Sequence, residues 1–375
     1  MFTDSHGPRS SPFALSYLKE QRGLAAINYY LMLHFLASST VRIVPQLLRS
    51  SRTIFTANCA TENMVTESLL SKSKKRATFR LCNVSGYTTE LLEIHADDPS
   101  FHVLLIPGNP GVVTFYVDFI EFLYEQLGGS ASITAIGHIS HTKKDWERGR
   151  LFSLEEQINH KIVFIREELQ NADIPILLVG HSIGSYISIE VFKRSPEKVK
   201  YCVALYPFLT LNQKSRKQTN IVKHVRSPFI SAAFSYIIAL LGLLPTSAFG
   251  YLVRKSLGPS WSPNAVEAAC SHLSKYHTVR NILFMAKTEF KKLSETPDWA
   301  FIRERKTQLA FLYGVDDHWG PLEVHEELSR QVPDVTLSIE RENHTHSFCC
   351  TEEGSLWVAR HVASLLKDQM TCKTT

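Results

Sequence analysis

Short apolar runs alternate with amphipathic stretches over the middle of the chain. Residues 101–107 and 174–179 are continuously apolar, as is typical of strands buried on both faces of a parallel sheet. We predict strands at 89–95, 101–107, 133–136, 174–179 and 200–206. Apolar side chains at helical spacing predict helices at 115–127, 154–169 and 183–194. This alternation indicates an α/β domain with a mostly parallel central sheet and helices on both faces.

The alternation stops at Pro207 and resumes at residues 309–313. A helix at 322–331, a strand at 335–339 and a last helix at 354–367 are predicted after that point. The pattern therefore divides the chain into three parts. Residues 1–75 are an N-terminal extension, residues 76–370 form one domain, and residues 208–307 are an insertion within it.

The N-terminal extension has a composition of its own. Up to Thr61 it contains two acidic residues against six Lys and Arg, with many Ser and Thr, as in a transit peptide. Residues 23–41 are uncharged and long enough to be considered as a membrane segment, although polar side chains such as Asn28 dilute them. We expect residues 1–75 to be disordered, removed or used for targeting. Import into a plastid and insertion into a membrane remain open.

Composition narrows the function classes. The 375 residues are 44% hydrophobic, enough for a sizeable core, and a net charge of +5 does not favour nucleic acid as a partner. The seven cysteines include no CxxC motif, and the adjacent pair Cys349-Cys350 has no second pair to complete a metal site. We therefore predict a reducing compartment, no structural disulfide and no zinc site.

Gly180-His181-Ser182-Ile183-Gly184 is a G-x-S-x-G pentapeptide. Chance would give one in such a chain roughly one time in ten. Its position is more specific, because it begins where a buried strand ends and finishes where a helix begins. That context is the nucleophile elbow of the α/β-hydrolase fold, with Ser182 as the nucleophile. Gly180 and Gly184 are needed because side chains there would collide with the neighbouring elements. The alternative is a tight turn with a passive serine.

The segment Ile106-Pro107-Gly108-Asn109-Pro110-Gly111 ends the earlier buried strand. In this fold the loop after that strand supplies one backbone N–H of the oxyanion hole. Asn109 is the best donor there, because Pro110 has no N–H. We expect the second donor to be the N–H of Ile183. The alternative is a plain turn, since Pro and Gly are turn residues.

The acid and the base should follow the elbow in the chain. Asp316 and Asp317 come directly after the predicted strand at 309–313, and we favour Asp317 as the acid. His344 and His346 follow the strand at 335–339, and we favour His346 as the base because it lies nearer the last helix. For the other Asp, the alternative is a helix cap or a solvated carboxylate.

Taken together, these residues resemble the lipid droplet-associated serine hydrolases. The matching segments are IPGNPG at 106–111 with Phe115-Tyr116, the helix start at 154–161, GHSIGSY at 180–186, Tyr206-Pro207, Tyr313-Gly314 through Asp317 and Trp319, and His346-Ser347-Phe348. The resemblance spans about residues 87–368 and implies catalytic roles for Ser182, Asp317 and His346. Members often have Pro after the acid, where this chain has His318. No part of residues 1–75 is covered.

The insertion contains a long uncharged segment. From Ser227 to Val253 no residue is charged, and Gly242 and Pro245 interrupt the apolar sequence. Basic residues flank the segment on both sides, where they could meet phosphate headgroups. An interrupted segment favours a hairpin or two short interfacial helices over a single membrane span. The alternative is a buried cap helix over the active site.

These observations predict a serine hydrolase that cleaves lipid esters and needs no metal or cofactor. The resemblance implies that these esters are neutral lipids, including sterol esters. It also implies a location at the surface of a lipid droplet or the endoplasmic reticulum, where we predict that the protein faces the cytosol and makes contact near Ser227 to Val253. An anchoring or tethering protein with little turnover, and a soluble esterase with an apolar cap, are the alternatives. A location in a plastid or another organelle is the alternative if the N-terminal segment is a transit peptide.

Overall fold

The computed structural model describes residues 75–371 except 170–173, 213–214 and 258–259. The predictions for residues 1–74 therefore lie outside the described residues. The described chain forms an eight-stranded sheet in the order β1-β2-β4-β3-β5-β6-β7-β8. The strands are β1 (Thr78–Val84), β2 (Tyr87–Ile94), β3 (Phe101–Ile106), β4 (Ala131–Ile136), β5 (Ile176–His181), β6 (Val199–Leu205), β7 (Leu309–Gly314) and β8 (Thr336–Glu340).

Helices connect the strands and cover the sheet. They are α1 (Val117–Gln126), α2 (Leu154–Glu168), α3 (Ile183–Arg194), α4 (Arg216–Arg226), α5 (Pro228–Leu241), α6 (Thr246–Leu257), α7 (Pro263–Ser271), α8 (Tyr276–Lys292), α9 (Trp299–Glu304), α10 (Leu322–Gln331) and α11 (Glu352–Thr371). Strands β1 and β2 are antiparallel to their neighbours, and every pairing from β4 to β8 is parallel. The mostly parallel α/β sheet predicted from the sequence is confirmed.

Alternate side chains of the central strands enter two separate hydrophobic cores. Leu104 of β3 packs in the core that contains Ile158 of α2 and Ile187 of α3. Val103 packs in the other core, with Phe119 of α1 and the residues of α11. Because each central strand feeds both cores, its sequence is apolar without interruption. The two layers of helices hold the carboxyl ends of β3, β5, β6 and β7 at one edge of the sheet.

Six helices of the described chain, α4 to α9, lie between β6 and β7 and are called the cap below. Helix α5 begins at Pro228, and the hydroxyl of Ser227 accepts a hydrogen bond from the N–H of Ile230. In the described chain no single helix is long and apolar enough to cross a membrane. Residues 218–226 and 228–241 meet that criterion only as a pair of helices bent by 91°.

Candidate active site

Ser182 occupies the turn between β5 and α3. Its φ of 56° and ψ of −123° lie outside the regions that a residue with a Cβ normally adopts. Two backbone hydrogen bonds hold it there. The Ser182 N–H donates to the Leu205 carbonyl at 2.9 Å, and the Ser182 carbonyl accepts from the Phe208 N–H at 3.2 Å. The turn is therefore fixed to the end of β6 and to the residues that lead into the cap.

The two glycines of the pentapeptide lie where the strand, the helix and the neighbouring loop approach closely. A Cβ on Gly180 would lie 2.4 Å from the Gly184 carbonyl oxygen. A Cβ on Gly184 would lie 2.2 Å from the carbonyl oxygen of Ile106. Both obstacles are backbone atoms, which cannot move aside as a flexible side chain can. The sequence-based reason for these glycines therefore agrees with the packing around them.

His346 and Asp317 are brought together from separate loops. The His346 Nδ1 lies 2.8 Å from Asp317 Oδ2. The other carboxylate oxygen of Asp317 accepts a hydrogen bond from the Trp319 N–H at 2.9 Å. Burial alone would raise the pKa of Asp317, but the neighbouring His346 and these hydrogen bonds outweigh it and hold that pKa below its usual value. The buried carboxylate is thus kept ionised against the imidazole.

The competing residues line the same cavity but have different surroundings. Asp316 is exposed to solvent, whereas Asp317 is only 5% exposed. The ring centroid of His344 lies 5.7 Å from that of Trp357. The structure therefore places Asp317 and His346, and not the other Asp or the other His, in one hydrogen-bonded pair.

The loop that follows β3, residues 107–111, is called the oxyanion loop below. The Gly108 N–H donates to the hydroxyl of Tyr116 at 3.0 Å. The Gly111 N–H donates to His141 Nδ1 at 2.8 Å, and the Gly111 carbonyl accepts from the His138 N–H at 3.0 Å. Asn109, the predicted donor, lines the same cavity as Ser182. Ile183, the other predicted donor, is the first residue of α3, where an N–H has no acceptor within the helix.

Sequence reasoning missed the role of His181 and Tyr116. A carbonyl oxygen only accepts, so His181 Nε2 carries the ring proton and donates it to the His346 carbonyl at 2.9 Å. The other ring nitrogen, Nδ1, then accepts from the Tyr116 hydroxyl at 2.7 Å, and that hydroxyl accepts from the Gly108 N–H. Burial lowers the pKa of His181 to about 3, so the ring stays neutral. One chain of hydrogen bonds thus joins the oxyanion loop to the loop of the base.

Ser182, Asp317 and His346 open into a single cavity of about 340 Å³ between the sheet edge and the cap. Its cap walls are mostly apolar side chains, namely Ile221, Val225, Phe234, Ile238, Leu283 and Phe290. Glu289 of α8 is the acidic residue that the cap contributes to this wall. Within the described residues, no cluster of His, Cys, Asp and Glu could hold a metal ion. The cavity itself brings a serine, an imidazole and buried carboxyls together among apolar side chains.

Solved structures with this arrangement of strands and helices are similar to the chain. A haloalkane dehalogenase from Bradyrhizobium elkani superposes with a TM-score of 0.60 at 15% identity, covering 79% of this chain and 99% of its own. An epoxide hydrolase from Vigna radiata gives 0.56 at 15% identity, with coverages of 79% and 100%. At these identities the likeness concerns the fold alone. The fold is that of an α/β-hydrolase.

The family follows from the sequence match. The model of the lipid-droplet associated hydrolases matches residues 99–349, and the chain belongs to this family of hydrolases. A lipid droplet-associated hydrolase from Dictyostelium discoideum is 29% identical over 276 residues, which are 71% of this chain and 88% of the relative. The Homo sapiens protein of that name is 27% identical over 297 residues, with coverages of 72% and 86%. The resemblance noted in the sequence is confirmed.

Proposed function

We propose that this protein hydrolyses carboxylic esters of lipids, with Ser182 as nucleophile, His346 as base and Asp317 as the acid that orients it. The observation that carries the proposal is the hydrogen-bonded Asp317–His346 pair, which shares one apolar cavity with a serine on a strained turn. A serine hydroxyl is a weak nucleophile until a base accepts its proton. Here a candidate base and its orienting carboxylate line the same cavity as the serine.

The reaction would follow the usual course of a serine hydrolase. The Ser182 hydroxyl attacks the ester carbonyl and passes its proton to His346 Nε2, while Asp317 fixes the tautomer through Nδ1. The N–H groups of Asn109 and Ile183 stabilise the oxyanion of the tetrahedral intermediate. His346 then protonates the departing alcohol. Water, activated by the same imidazole, releases the acid and restores Ser182.

A lipid substrate is supported by the surface of the cap. Helices α5 and α6 and the turn between them expose large apolar side chains, notably Phe229, Leu240, Leu243 and Tyr251, which are 64–85% exposed. The opposite side of α5 contributes Phe234 and Ile238 to the cavity. Apolar side chains exposed together in this way are typical of a surface that contacts a lipid phase. One helix therefore faces lipid on one side and the reacting site on the other.

The basic residues at both ends of this region support the same orientation. Lys223 and Arg226 end α4, and Arg254 and Lys255 lie in the last turns of α6. Cationic side chains beside an apolar surface favour contact with phospholipid headgroups. We propose that the segment from Ser227 to Val253 meets a lipid droplet or the cytosolic face of the endoplasmic reticulum. The names of the relatives support the droplet as the location.

Active-site labelling of the full-length protein with a fluorophosphonate tests the catalytic proposal. We expect wild type to label, Ser182→Ala to lose labelling completely, and His346→Ala to slow it by about 10³-fold or more. Asp317→Asn should slow labelling by about 10²-fold or more, because the imidazole loses its orienting carboxylate. Asp316→Asn is the matched control and should label at nearly the wild-type rate.

Two results would contradict this assignment. Slow labelling in Asp316→Asn with normal labelling in Asp317→Asn would transfer the role of the acid to Asp316. A folded wild-type protein that does not label would remove the catalytic proposal. The exposed apolar surface of the cap would then favour the second candidate, a droplet-tethering protein with an α/β-hydrolase fold and little turnover.

A further inference from the structure

The side chain of Asn109 is directed into the cap. Its Nδ2 donates one hydrogen bond to the Ile282 carbonyl at 3.0 Å and another to Glu289 Oε1 at 2.9 Å. Both acceptors belong to α8, and they lie 173 and 180 residues away along the chain. A single amide group therefore joins the oxyanion loop to a cap helix.

Residues of the α/β domain hold the two flanks of the oxyanion loop. Tyr116 precedes α1, and His138 and His141 follow β4; these residues hold Gly108 and Gly111. Asn109 lies between these flanks, at the centre of the loop. The contacts to α8 bind the side-chain amide of this residue, whose backbone N–H is the predicted oxyanion donor. The position of the donor depends on the cap as well as on the sheet.

Glu289 is placed to accept this bond without carrying a charge. Its side chain is buried beside apolar residues of the cavity wall, and burial raises the pKa of its carboxyl to about 8, although the Asn109 hydrogen bond opposes that rise. At neutral pH the carboxyl is mainly protonated. Its carbonyl oxygen can still accept from the Asn109 amide, and so can the side-chain amide of a glutamine in the same place.

Helix α8 also contacts the helix that carries the exposed apolar side chains. Helices α5 and α8 pack against each other, and the rings of Tyr236 and Tyr276 lie 4.8 Å apart at one end of this contact. Tyr236 is itself an exposed residue of α5. A packed path therefore leads from the outer surface of the cap through α8 to Asn109.

We propose that Glu289 is a positioning residue. It holds Asn109, whose backbone N–H is the predicted oxyanion donor, in register with Ser182. This inference rests on the proposed function, because it concerns the oxyanion hole of the ester-cleaving site. Without Glu289 the substrate would still enter the cavity, but the centre of the oxyanion loop would lose a contact that aligns it with the reacting carbonyl. Small displacements of such a donor lower the rate of the chemical step.

Steady-state hydrolysis of a p-nitrophenyl acyl ester by the full-length protein tests the proposal. In Glu289→Leu, which has no acceptor, we expect kcat to fall by about tenfold or more while KM changes by less than about threefold. Glu289→Gln keeps an acceptor and should restore kcat to within about threefold of wild type. Glu295→Leu, at an exposed glutamate beyond the end of α8, is the matched control and should leave both constants unchanged.

A role through Asn109 also predicts how two substitutions combine. Adding Glu289→Leu to the Asn109→Ala variant should not lower kcat further, because the contact is already lost in Asn109→Ala. A raised KM with normal kcat in Glu289→Leu would make Glu289 a substrate contact and overturn the proposal, as would a Gln variant as slow as the Leu variant. If the wild-type protein shows neither hydrolysis nor labelling, the proposed function fails by itself. The Asn109–Glu289 contact is then tested by the melting temperatures of Asn109→Ala, Glu289→Leu and the double variant. If the two decreases in melting temperature simply add in the double variant, the proposed contact is overturned.

Discussion

Replacing Glu289 by glutamine should make the protein's stability less sensitive to pH. The Glu289 carboxyl is buried in the wall of the cavity beside the oxyanion loop, and burial raises its pKa from 4.5 to about 8 in the folded protein. In the unfolded chain the group regains its ordinary pKa. Between these two values the folded state holds a proton that the unfolded state has released. Stability therefore falls as pH rises through this interval and levels off above it.

The size of the effect follows from the same two values. One pH unit in the interval corresponds to about 1.4 kcal/mol. From pH 5 to pH 7, Glu289 thus lowers the free energy of unfolding by about 3 kcal/mol. In Glu289→Gln this loss is absent, because glutamine does not titrate. The stability of the variant relative to wild type should rise by about 3 kcal/mol over these two pH units, or about 5 °C in melting temperature.

Urea unfolding at pH 5, 6 and 7, followed by tryptophan fluorescence, measures this difference directly. Glu295→Gln is the matched control, since its carboxyl is exposed and pairs with Lys292 at the surface. Its unfolding free energy should run parallel to that of wild type. The reasoning is refuted if Glu289→Gln also runs parallel to wild type, because Glu289 would then ionise as readily in the folded protein as in the unfolded chain.

Three further variants test other contacts. Gly184→Ala places a Cβ against a backbone oxygen and should lower the free energy of unfolding by at least about 3 kcal/mol, measured by urea denaturation. Tyr116→Phe removes a hydroxyl that bridges the oxyanion loop and His181. It should lower the free energy of unfolding by about 2 kcal/mol in the same assay and slow fluorophosphonate labelling. Phe229→Ser combined with Leu243→Ser should weaken binding to triolein droplets coated with phosphatidylcholine by about 10²-fold, measured by flotation.

The first and third of these variants have matched controls, and each of the three has a contradicting result. Gly250→Ala in α6 adds a Cβ to open space and should leave stability unchanged or slightly higher. Equal losses at Gly184 and Gly250 would contradict the packing argument. Normal stability and labelling in Tyr116→Phe would show that the hydroxyl bridge is dispensable. Phe79→Ser with Leu81→Ser removes exposed apolar side chains from β1, and an equal loss of droplet binding there would contradict contact through the cap.

The central sheet was predictable because burial on both faces leaves a direct trace in the sequence. Residues 101–107 and 174–179 were predicted as strands, and β3 and β5 form there. Strand β1 was not predicted, because its apolar side chains change face partway along: Phe79 and Leu81 are exposed, whereas Cys82 and Val84 are buried. An edge strand with one thinly covered face gives no such trace.

The local parts of the site were equally predictable, because the elbow and the ends of β7 and β8 are defined by neighbours in the chain. The structure then brings Asp317 and His346 into one pair. The contacts of His181 and Glu289 could not be read in the same way. His181 meets a residue 165 positions away, and Glu289 meets one 180 positions away. Such partners are decided by strand order and cap packing, which no short motif records.

The apolar segment from Ser227 to Val253 shows a third limit. Its lack of charge indicated contact with lipid or burial under a cap as alternatives. In the structure α5 has both kinds of surface, with Phe229 and Leu240 exposed and Phe234 and Ile238 on the cavity. A helix that is apolar all round has no polar face to show its orientation. Which side faces the cavity is therefore decided by packing against α8.

The cap lies in the chain between β6 and β7, two strands that pair directly from Cys202 with Leu309 to Leu205 with Leu312. The cap could therefore be replaced by the cap of another hydrolase, since its removal would not interrupt the pairing of the sheet. The graft should begin after Phe208, because the N–H of that residue holds the Ser182 carbonyl. A transplanted cap would also have to bring its own acceptor for the Asn109 amide. A chimaera that joins its new cap after Phe208 but lacks this acceptor would have a new pocket. Its predicted oxyanion donor, Asn109, would not be correctly aligned with Ser182.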